Sequence, residues 1–244
     1  MSLLLLNIGN THTQVALSRA PGRVRLLGTV ATADLKPGRL PALLARHRRL
    51  PVLAACVVPR VRRLLAEQGL RVTWLSAKLD LGLDFSGVDS RTVGADRVAN
   101  AVAAAAELPL PAVVLDCGTA VTTVVVDRRR RFLGGAIMPG RRLARAALAQ
   151  GTGQLPLVAL TPRAGRALGR NTVEAIRAGV DQGVLGAAAR LATLARQQFR
   201  SPLSVVAVGG DRRFFASQLD GVALGPPDFT LRGLAHAAAR LGLV

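Results

Sequence analysis

The amino-acid sequence predicts an α/β fold made of two halves of similar design, residues 1–110 and 111–244. One sequence pattern occurs twice, at residues 3–17 and again at 112–126. It consists of an apolar run, a polar turn with glycine and a second apolar run. Strand-like apolar runs then alternate with helical segments, which is typical of βαβ units. With 244 residues, half of them hydrophobic, the chain can bury a sizeable core. We expect a sheet with flanking helices in each half.

The two copies of this pattern have similar residues at matched positions of their turns. The matched pairs are Asn7 with Asp116, Gly9 with Gly118, and Thr13 with Thr122. Glycine lets the backbone bend or approach a ligand closely, and threonine supplies hydroxyl groups, so each turn is a candidate phosphate or cation site. Asp116 leaves two interpretations open, since a carboxylate after a strand can bind an ion or accept backbone hydrogen bonds in an Asx turn.

The rest of the first half alternates between strands and helices. In order, we predict a strand at 23–32, a helix at 40–49, a strand at 52–58, a helix at 59–67 that begins at a proline, a strand at 71–75, a loop at 76–93 and a helix at 94–107. The loop contains Asp80, Asp84 and Asp89 and is long enough to suggest a functional role.

The second half follows a similar order after its hairpin. We predict an arginine-rich turn at 128–131, a strand at 132 leading into 134–140, helices at 141–150 and 173–198, a strand at 203–208, a helix near 213–219 and a terminal helix from 231. Three glycines in the long helix permit close helix contact or mark a break: Gly179, Gly183 and Gly186.

The formal net charge of +19 suggests an anionic partner such as nucleic acid or a membrane surface. Nearly all the basic residues are arginine in a chain rich in alanine, glycine and proline, so a genomic base bias explains the charge more simply. Only six phenylalanines and one tryptophan, and no tyrosine, are available to stack on bases. We therefore expect a small anionic substrate, with neither nucleic acid nor membrane as a partner. No signal or membrane-spanning pattern is visible, which predicts a cytoplasmic protein.

The sequence lacks the motifs that are typical of several common nucleotide-binding and metal-binding sites. The sequence has no GxxxxGK[ST] phosphate loop and no convincing GxGxxG after a strand. Its three histidines have no spacing typical of a metal site, and the two cysteines lie in apolar runs where we expect buried thiols without a disulfide. Among the few acids, Asp96 stands in the first helical turn beside Arg97, where it is either a helix-dipole partner or a base next to an anion clamp.

Five segments together resemble one family. They are NIGNT at 7–11, GADRVAN at 94–100, DCGTAVT at 116–122, GGAIMPG at 134–140 and GRNTVEAIRAG at 169–179. In this order and at these separations they are similar to the motifs of the type III pantothenate kinases, a family of the actin-like acetate and sugar kinase superfamily. The resemblance spans most of the chain and implies two actin-like half-domains.

The resemblance also implies an activity, ATP-dependent phosphorylation of pantothenate as the first step of coenzyme A biosynthesis. It implies a homodimer that uses Mg²⁺ and a monovalent cation, K⁺ or NH₄⁺. Asp96 would then be the catalytic base. The substrate would be bound by Gly94, Ala95, Asp96, Arg97 and, from the neighbouring subunit, Thr172. The ATP phosphates would be bound by Asn7, Gly9, Asn10, Thr11, Gly118, Thr119 and Thr122, and the metal by Asp116.

One position departs from the family pattern. Asn7 stands where the family has an aspartate, so this chain keeps a carbonyl acceptor there and lacks a negative charge. An alternative hypothesis follows: a catalytically impaired family member that acts as a binding or regulatory protein. The family also places an aromatic residue before GADR, for which Phe85 is a candidate in this chain.

Overall fold

A computed structural model describes residues 2–37 and 41–244. The strands are β1 (Leu3–Ile8), β2 (His12–Ala20), β3 (Arg23–Ala31), β4 (Val52–Cys56), β5 (Val72–Trp74), β6 (Ala112–Cys117), β7 (Ala120–Val126), β8 (Phe132–Gly134), β9 (Ile137–Pro139), β10 (Ser204–Val208) and β11 (Ala223–Leu224). The helices are α1 (Ala42–Ala45), α2 (Pro59–Glu67), α3 (Ala95–Glu107), α4 (Arg141–Gly151), α5 (Thr172–Gln197), α6 (Arg212–Gln218) and α7 (Phe229–Arg240).

The chain forms two compact units. Unit 1 contains residues 1–110, 126–134 and 228–244, and unit 2 contains residues 111–125 and 135–227. The assignment of two half-domains to residues 1–110 and 111–244 stays a prediction. No helix in the described part of the chain combines the length and the apolar character that a membrane crossing requires.

Unit 1 is built on a mixed sheet with the strand order β3-β2-β1-β4-β5. Strand β1 pairs antiparallel with β2 and parallel with β4, with Asn7 opposite Gln14 in the hairpin. Leucines 3 to 6 of β1 are all fully buried, since this central strand is covered on both faces. Asn7 is the first polar residue of β1, and only the buried Ile8 separates it from the hairpin turn.

Unit 2 repeats this arrangement. Strand β6 lies between β7, its hairpin partner, and β10, which pairs with it in parallel, and β11 extends the sheet beyond β10. A short strand, β9, pairs antiparallel with β7. The positions of β1, β2 and β4 in the first sheet thus correspond to those of β6, β7 and β10 in the second. The predicted fold, two mixed sheets with flanking helices, is confirmed.

Helix α3 carries the GADRVAN segment and packs closely on α7. A side chain at Gly233 would overlap the carbonyl oxygen of Ala99, and the Thr230 hydroxyl donates to Asn100 Oδ1 over 2.8 Å. Small residues on both helices allow this approach. The packing fixes the start of α3 and therefore the position of Asp96.

Most predicted elements are present, but three differ. The predicted helix at 40–49 is wrong as a continuous helix, because only Ala42–Ala45 is helical and four basic residues follow it directly; its first residue, Leu40, lies outside the described residues. The glycines of α5 produce no break. The two-residue strand β11 has too little sequence to show a pattern and was not predicted.

Candidate active site

The turn of the first hairpin, residues 9–11, is held by its own backbone and by one threonine. The Gly9 N–H donates to the His12 carbonyl over 3.0 Å, and the Thr32 hydroxyl donates to the Gly9 carbonyl over 2.7 Å. Asn10 and Thr11 are exposed at the tip. The turn is therefore rigid at its base and accessible at its tip, which suits a ligand-binding turn.

Asn7 lies at the end of β1 with its amide engaged. Its Nδ2 donates to Gln14 Oε1 over 3.0 Å across the hairpin. Because the amide nitrogen is used in this way, a cation approaching Asn7 would meet the side-chain carbonyl oxygen. That oxygen is a suitable ligand for Mg²⁺ or K⁺, although it is weaker than a carboxylate.

The second hairpin turn, at Gly118 and Thr119, is enclosed by backbone from two other segments. The Gly140 N–H donates to the Thr119 carbonyl over 2.9 Å, and a side chain at Gly140 would collide with the carbonyl of Gly118. Gly209 has a φ of +84°, and a Cβ there would lie 2.5 Å from Asp116 Oδ1. Glycine is required at both positions, so that bare backbone, here called the glycine cradle, lies against the 118–119 turn at Gly140 and beside the Asp116 carboxylate at Gly209.

Thr122 follows this turn on β7. Its Oγ1 is buried and has no hydrogen-bond partner among the described residues. Buried hydroxyl groups normally have a hydrogen-bond partner, so a bound ligand is expected to supply the partner that the described residues do not. Together with Asp116 and the glycine backbone, it fits the prediction that the turn receives an oxygen-rich ligand. The assignment of Asp116, Gly118, Thr119 and Thr122 to such a ligand stays a prediction.

Asp96 occupies the first turn of α3 in unit 1. The Arg97 N–H donates to Asp96 Oδ1 over 2.8 Å, and a Cβ at Gly94 would lie 2.6 Å from the same oxygen. Burial raises the pKa of this carboxyl, and the hydrogen bond from Arg97 and the charge of its guanidinium only partly oppose the increase. A carboxylate with a raised pKa is a better proton acceptor than an exposed one, as a general base requires.

Arg97 packs on an aromatic pair. Its guanidinium carbon lies 5.5 Å from the centroid of the Phe132 ring, and this ring packs on Phe85 with a centroid distance of 5.2 Å. Both rings are buried. Phe85 therefore supports Arg97 through Phe132, which gives the long loop at 76–93 a structural part in holding the cation beside Asp96. The contribution of Phe132 was not predicted, because nothing in the local sequence links it to Arg97.

The acids of that loop have local roles. Asp80 accepts from Gly82 N–H, Asp84 from Ser86 N–H and Asp89 from Arg91 N–H, at distances of 2.8 to 3.2 Å. These are Asx turns, which order the loop.

Thr172 is the first residue of α5 in unit 2 and is exposed. Asn171 caps the helix by accepting from the Glu174 N–H over 3.0 Å, while Glu174 Oε2 accepts from the Arg170 N–H over 2.9 Å. A side chain at Gly169 would collide with the backbone of Ala175. Much of the GRNTVEAIRAG segment is thus explained by helix capping, whereas the exposed Thr172 hydroxyl is not.

Side chains that commonly bind metal ions form no cluster in the described part of the chain, where no three residues of the His, Cys, Asp and Glu types are grouped closely enough to hold a metal ion. Mg²⁺ in phosphoryl-transfer sites is typically bound by one or two protein oxygens together with substrate phosphates. The Asp116 carboxylate in its glycine cradle fits that mode of binding.

Comparison with known proteins first defines the class. The chain superposes on the structure of a candidate 2-dehydro-3-deoxygalactonokinase from Sinorhizobium meliloti with a TM-score of 0.60 and 14% identity, covering 99% of this chain and 100% of that one. The fold is that of the actin-like ATPases and sugar kinases.

Sequence comparison then gives the family. A family model described as type III pantothenate kinase matches residues 3–194. The type III pantothenate kinase of Akkermansia muciniphila is 34% identical over 240 residues, 98% of each chain, and that of Rubrobacter xylanophilus is 32% identical over 252 residues, 95% of each. This chain belongs to the type III pantothenate kinase family, as its five motifs predicted.

Proposed function

We propose that this protein transfers the γ-phosphoryl group of ATP to the primary hydroxyl of pantothenate. Family membership over nearly the whole chain supports the activity. The observation that carries it is Asp96, a half-buried carboxylate with a raised pKa, next to the aromatic-supported cation of Arg97. This pair matches what the substrate needs, since pantothenate has both a hydroxyl group to deprotonate and a carboxylate to bind.

The proposed chemistry assigns one step to each of these residues. Asp96 accepts the proton of the pantothenate hydroxyl while the hydroxyl oxygen forms a bond to the γ-phosphorus of ATP. The bond from that phosphorus to the bridging oxygen breaks, and ADP leaves. Arg97 binds the pantothenate carboxylate and holds the hydroxyl near Asp96. Phosphoryl transfer is accelerated mainly by positioning and charge neutralisation, and Asp96 and Arg97 would contribute the positioning of the hydroxyl.

For the nucleotide, we propose that both hairpin turns contribute to phosphate binding. The residues are Asn7, Gly9, Asn10, Thr11, Gly118, Thr119 and Thr122. Mg²⁺ would neutralise charge on the phosphates, and Asp116 would hold Mg²⁺ or a monovalent cation such as K⁺ or NH₄⁺. The buried Thr122 hydroxyl, which has no hydrogen-bond partner among the described residues, supports an oxygen-rich ligand at the Asp116 turn.

We also propose a homodimer in which Thr172 of one subunit completes the pantothenate site of the other. Large apolar side chains near the start of α5 are exposed in the single chain: Leu157 is 70% exposed and Leu168 84%. Exposed apolar surface of this kind is typical of protein interfaces. Thr172 follows these leucines in sequence as the exposed first residue of α5, where a second subunit would cover it.

Incubation of the purified protein with ATP, pantothenate, Mg²⁺ and K⁺ tests the activity, with phosphopantothenate detected by mass spectrometry. We expect turnover by the wild type, and a loss of about 10²- to 10⁴-fold in kcat for Asp96→Asn, which removes the base and keeps the shape. The exposed Asp220→Asn is the matched control and should retain wild-type activity. Nucleotide binding without any turnover would instead favour the alternative, a binding or regulatory protein.

A further inference from the structure

A buried ionic cluster in unit 2 lies outside the set of residues that the motifs identify. Asp181, on α5, is fully buried, and Arg141 and Arg145, on α4, are each 1% exposed. Arg141 Nε donates to Asp181 Oδ1 over 2.9 Å, and Arg145 Nη2 donates to the same oxygen over 2.7 Å. The Gly165 N–H donates to Asp181 Oδ2 over 3.2 Å. Burying three charged groups is costly, and here each of the two arginines is paired with the same carboxylate.

Arg141 also contacts other residues besides Asp181. Its Nη1 lies 3.3 Å and 3.4 Å from the two carboxylate oxygens of Asp211, and its Nη2 donates to the Thr161 carbonyl over 2.8 Å. The guanidinium also lies over the Phe214 ring, with 3.5 Å between its carbon and the ring centroid. Each of its three nitrogens therefore has a hydrogen-bond partner, and the guanidinium bridges a fully buried carboxylate to a partly exposed one.

Asp211 connects this bridge to the turn at residues 116–119. Its backbone N–H donates to the Cys117 carbonyl over 2.9 Å, and it follows the Gly209 that contacts Asp116. On the other side, Gly140 directly precedes Arg141 and donates its N–H to the Thr119 carbonyl. Arg141 thus joins the two segments that enclose the turn, one through its backbone and the other through its side chain.

We propose that Arg141, fixed by Asp181, is a positioning residue that holds the 116–119 turn in the geometry required for nucleotide phosphates, with Asp211 as the link. A turn ordered before binding spares the nucleotide the cost of ordering it. This inference rests on the proposed function, since it assigns the nucleotide to that turn.

The test uses Asp211→Asn, because removing Arg141 or Asp181 would leave buried charges unpaired and threaten folding. The substitution retains the side-chain shape and the backbone N–H, and it removes the charge that faces Arg141. Asp228→Asn is the matched control. Asp228 also precedes a helix and accepts from an arginine, Arg232 Nε, over 2.9 Å, and it is 22% exposed against 26% for Asp211.

Ligand binding, the KM for ATP and hydrogen exchange are compared in these full-length variants. In Asp211→Asn we expect about tenfold weaker binding of Mg²⁺–ADP by calorimetry, a similar rise in the KM for ATP, and no change in the affinity for pantothenate. We also expect faster hydrogen exchange at the amides of Gly118, Gly140 and Asp211. Asp228→Asn should match the wild type in all of these.

Wild-type exchange at these amides in Asp211→Asn would overturn the inference. Faster exchange with wild-type ADP affinity and KM would overturn it equally, because the network would then be purely structural. If the wild type itself binds no ADP, the proposed function fails, and the exchange rates alone then decide whether Arg141 holds the turn.

Discussion

Asn7 stands where the resemblance to the family predicts an aspartate, and its surroundings show how a carboxylate would fit there. Gln14 Oε1 accepts from the Asn7 amide, and the Gln14 amide can rotate so that its nitrogen donates to an aspartate instead. An aspartate would therefore be accommodated without a new buried and unpaired charge.

We predict that Asn7→Asp raises kcat and lowers the Mg²⁺ concentration needed for half-maximal rate, because a carboxylate attracts a divalent cation more strongly than an amide oxygen does. An increase of about tenfold corresponds to one additional favourable contact in the transition state. The measurement is kcat against Mg²⁺ concentration, with Gln14→Glu as a control that adds a negative charge on the neighbouring strand. A rate unchanged by Asn7→Asp would show that an amide is sufficient at this position.

Asp96 sets the expected pH dependence. Burial raises its pKa above the ordinary value of 3.8, and only the unprotonated form accepts the substrate proton. As the pH falls through the raised pKa, kcat/KM should therefore fall, and the acidic limb of its pH profile should lie above pH 3.8. An acidic limb at or below that value would exclude Asp96 as the base.

The same raised pKa gives a stability effect of opposite direction. Between pH 3.8 and the raised pKa, the folded state binds more protons at Asp96 than the unfolded state does, so this carboxyl reduces stability as the pH rises through that interval. Asp96→Asn lacks this penalty. It should be at least as stable as the wild type near neutral pH while losing activity, which a thermal melt measured beside the activity assay would show.

At the level of elements, the sequence predicts best where hydrophobic periodicity and end signals coincide. Helix α2 begins at Pro59 and ends at Glu67 as predicted, because its proline start and apolar face are both local features. The two hairpins were recognised from their repeated pattern. The helix predicted at 40–49 is present only over the four residues of α1, and the two-residue β11 could not be predicted, since so short a segment shows no period.

The candidate site was predictable to the extent that its residues lie in continuous motifs. Asp96 and Asp116 were identified because acids are rare in this chain and these two interrupt apolar sequence. The cluster of Arg141, Asp181 and Asp211 was missed, because its members are 40 and 70 residues apart and only the tertiary structure joins them. One signal for this cluster was present in the sequence. Two glycines directly follow β10, the strand that lies beside the central strand β6.

At the scale of the whole molecule, the proposed dimer predicts a result that a site built from a single chain could not give. If Thr172 of one subunit serves the site that contains Asp96 of the other, then Asp96→Asn and Thr172→Arg each inactivate both sites of their own homodimer. In a mixed dimer, one site receives both defects and the other receives none. Mixing the two inactive proteins under conditions of subunit exchange should therefore restore up to about a quarter of the wild-type activity per total chain, since half of the dimers are mixed and each has one intact site.

Two features make this mixing experiment decisive. Thr172 is exposed in the single chain, so the arginine substitution should not disturb its folding, which circular dichroism of each variant checks. Differently tagged subunits allow the mixed dimers to be isolated and counted. Mixed dimers that form without recovering activity would show that each site is built from one chain, whereas failure to find any dimer by light scattering would remove the basis for a shared site. Recovery in proportion to the mixed fraction would require Thr172 and Asp96 to act across the interface.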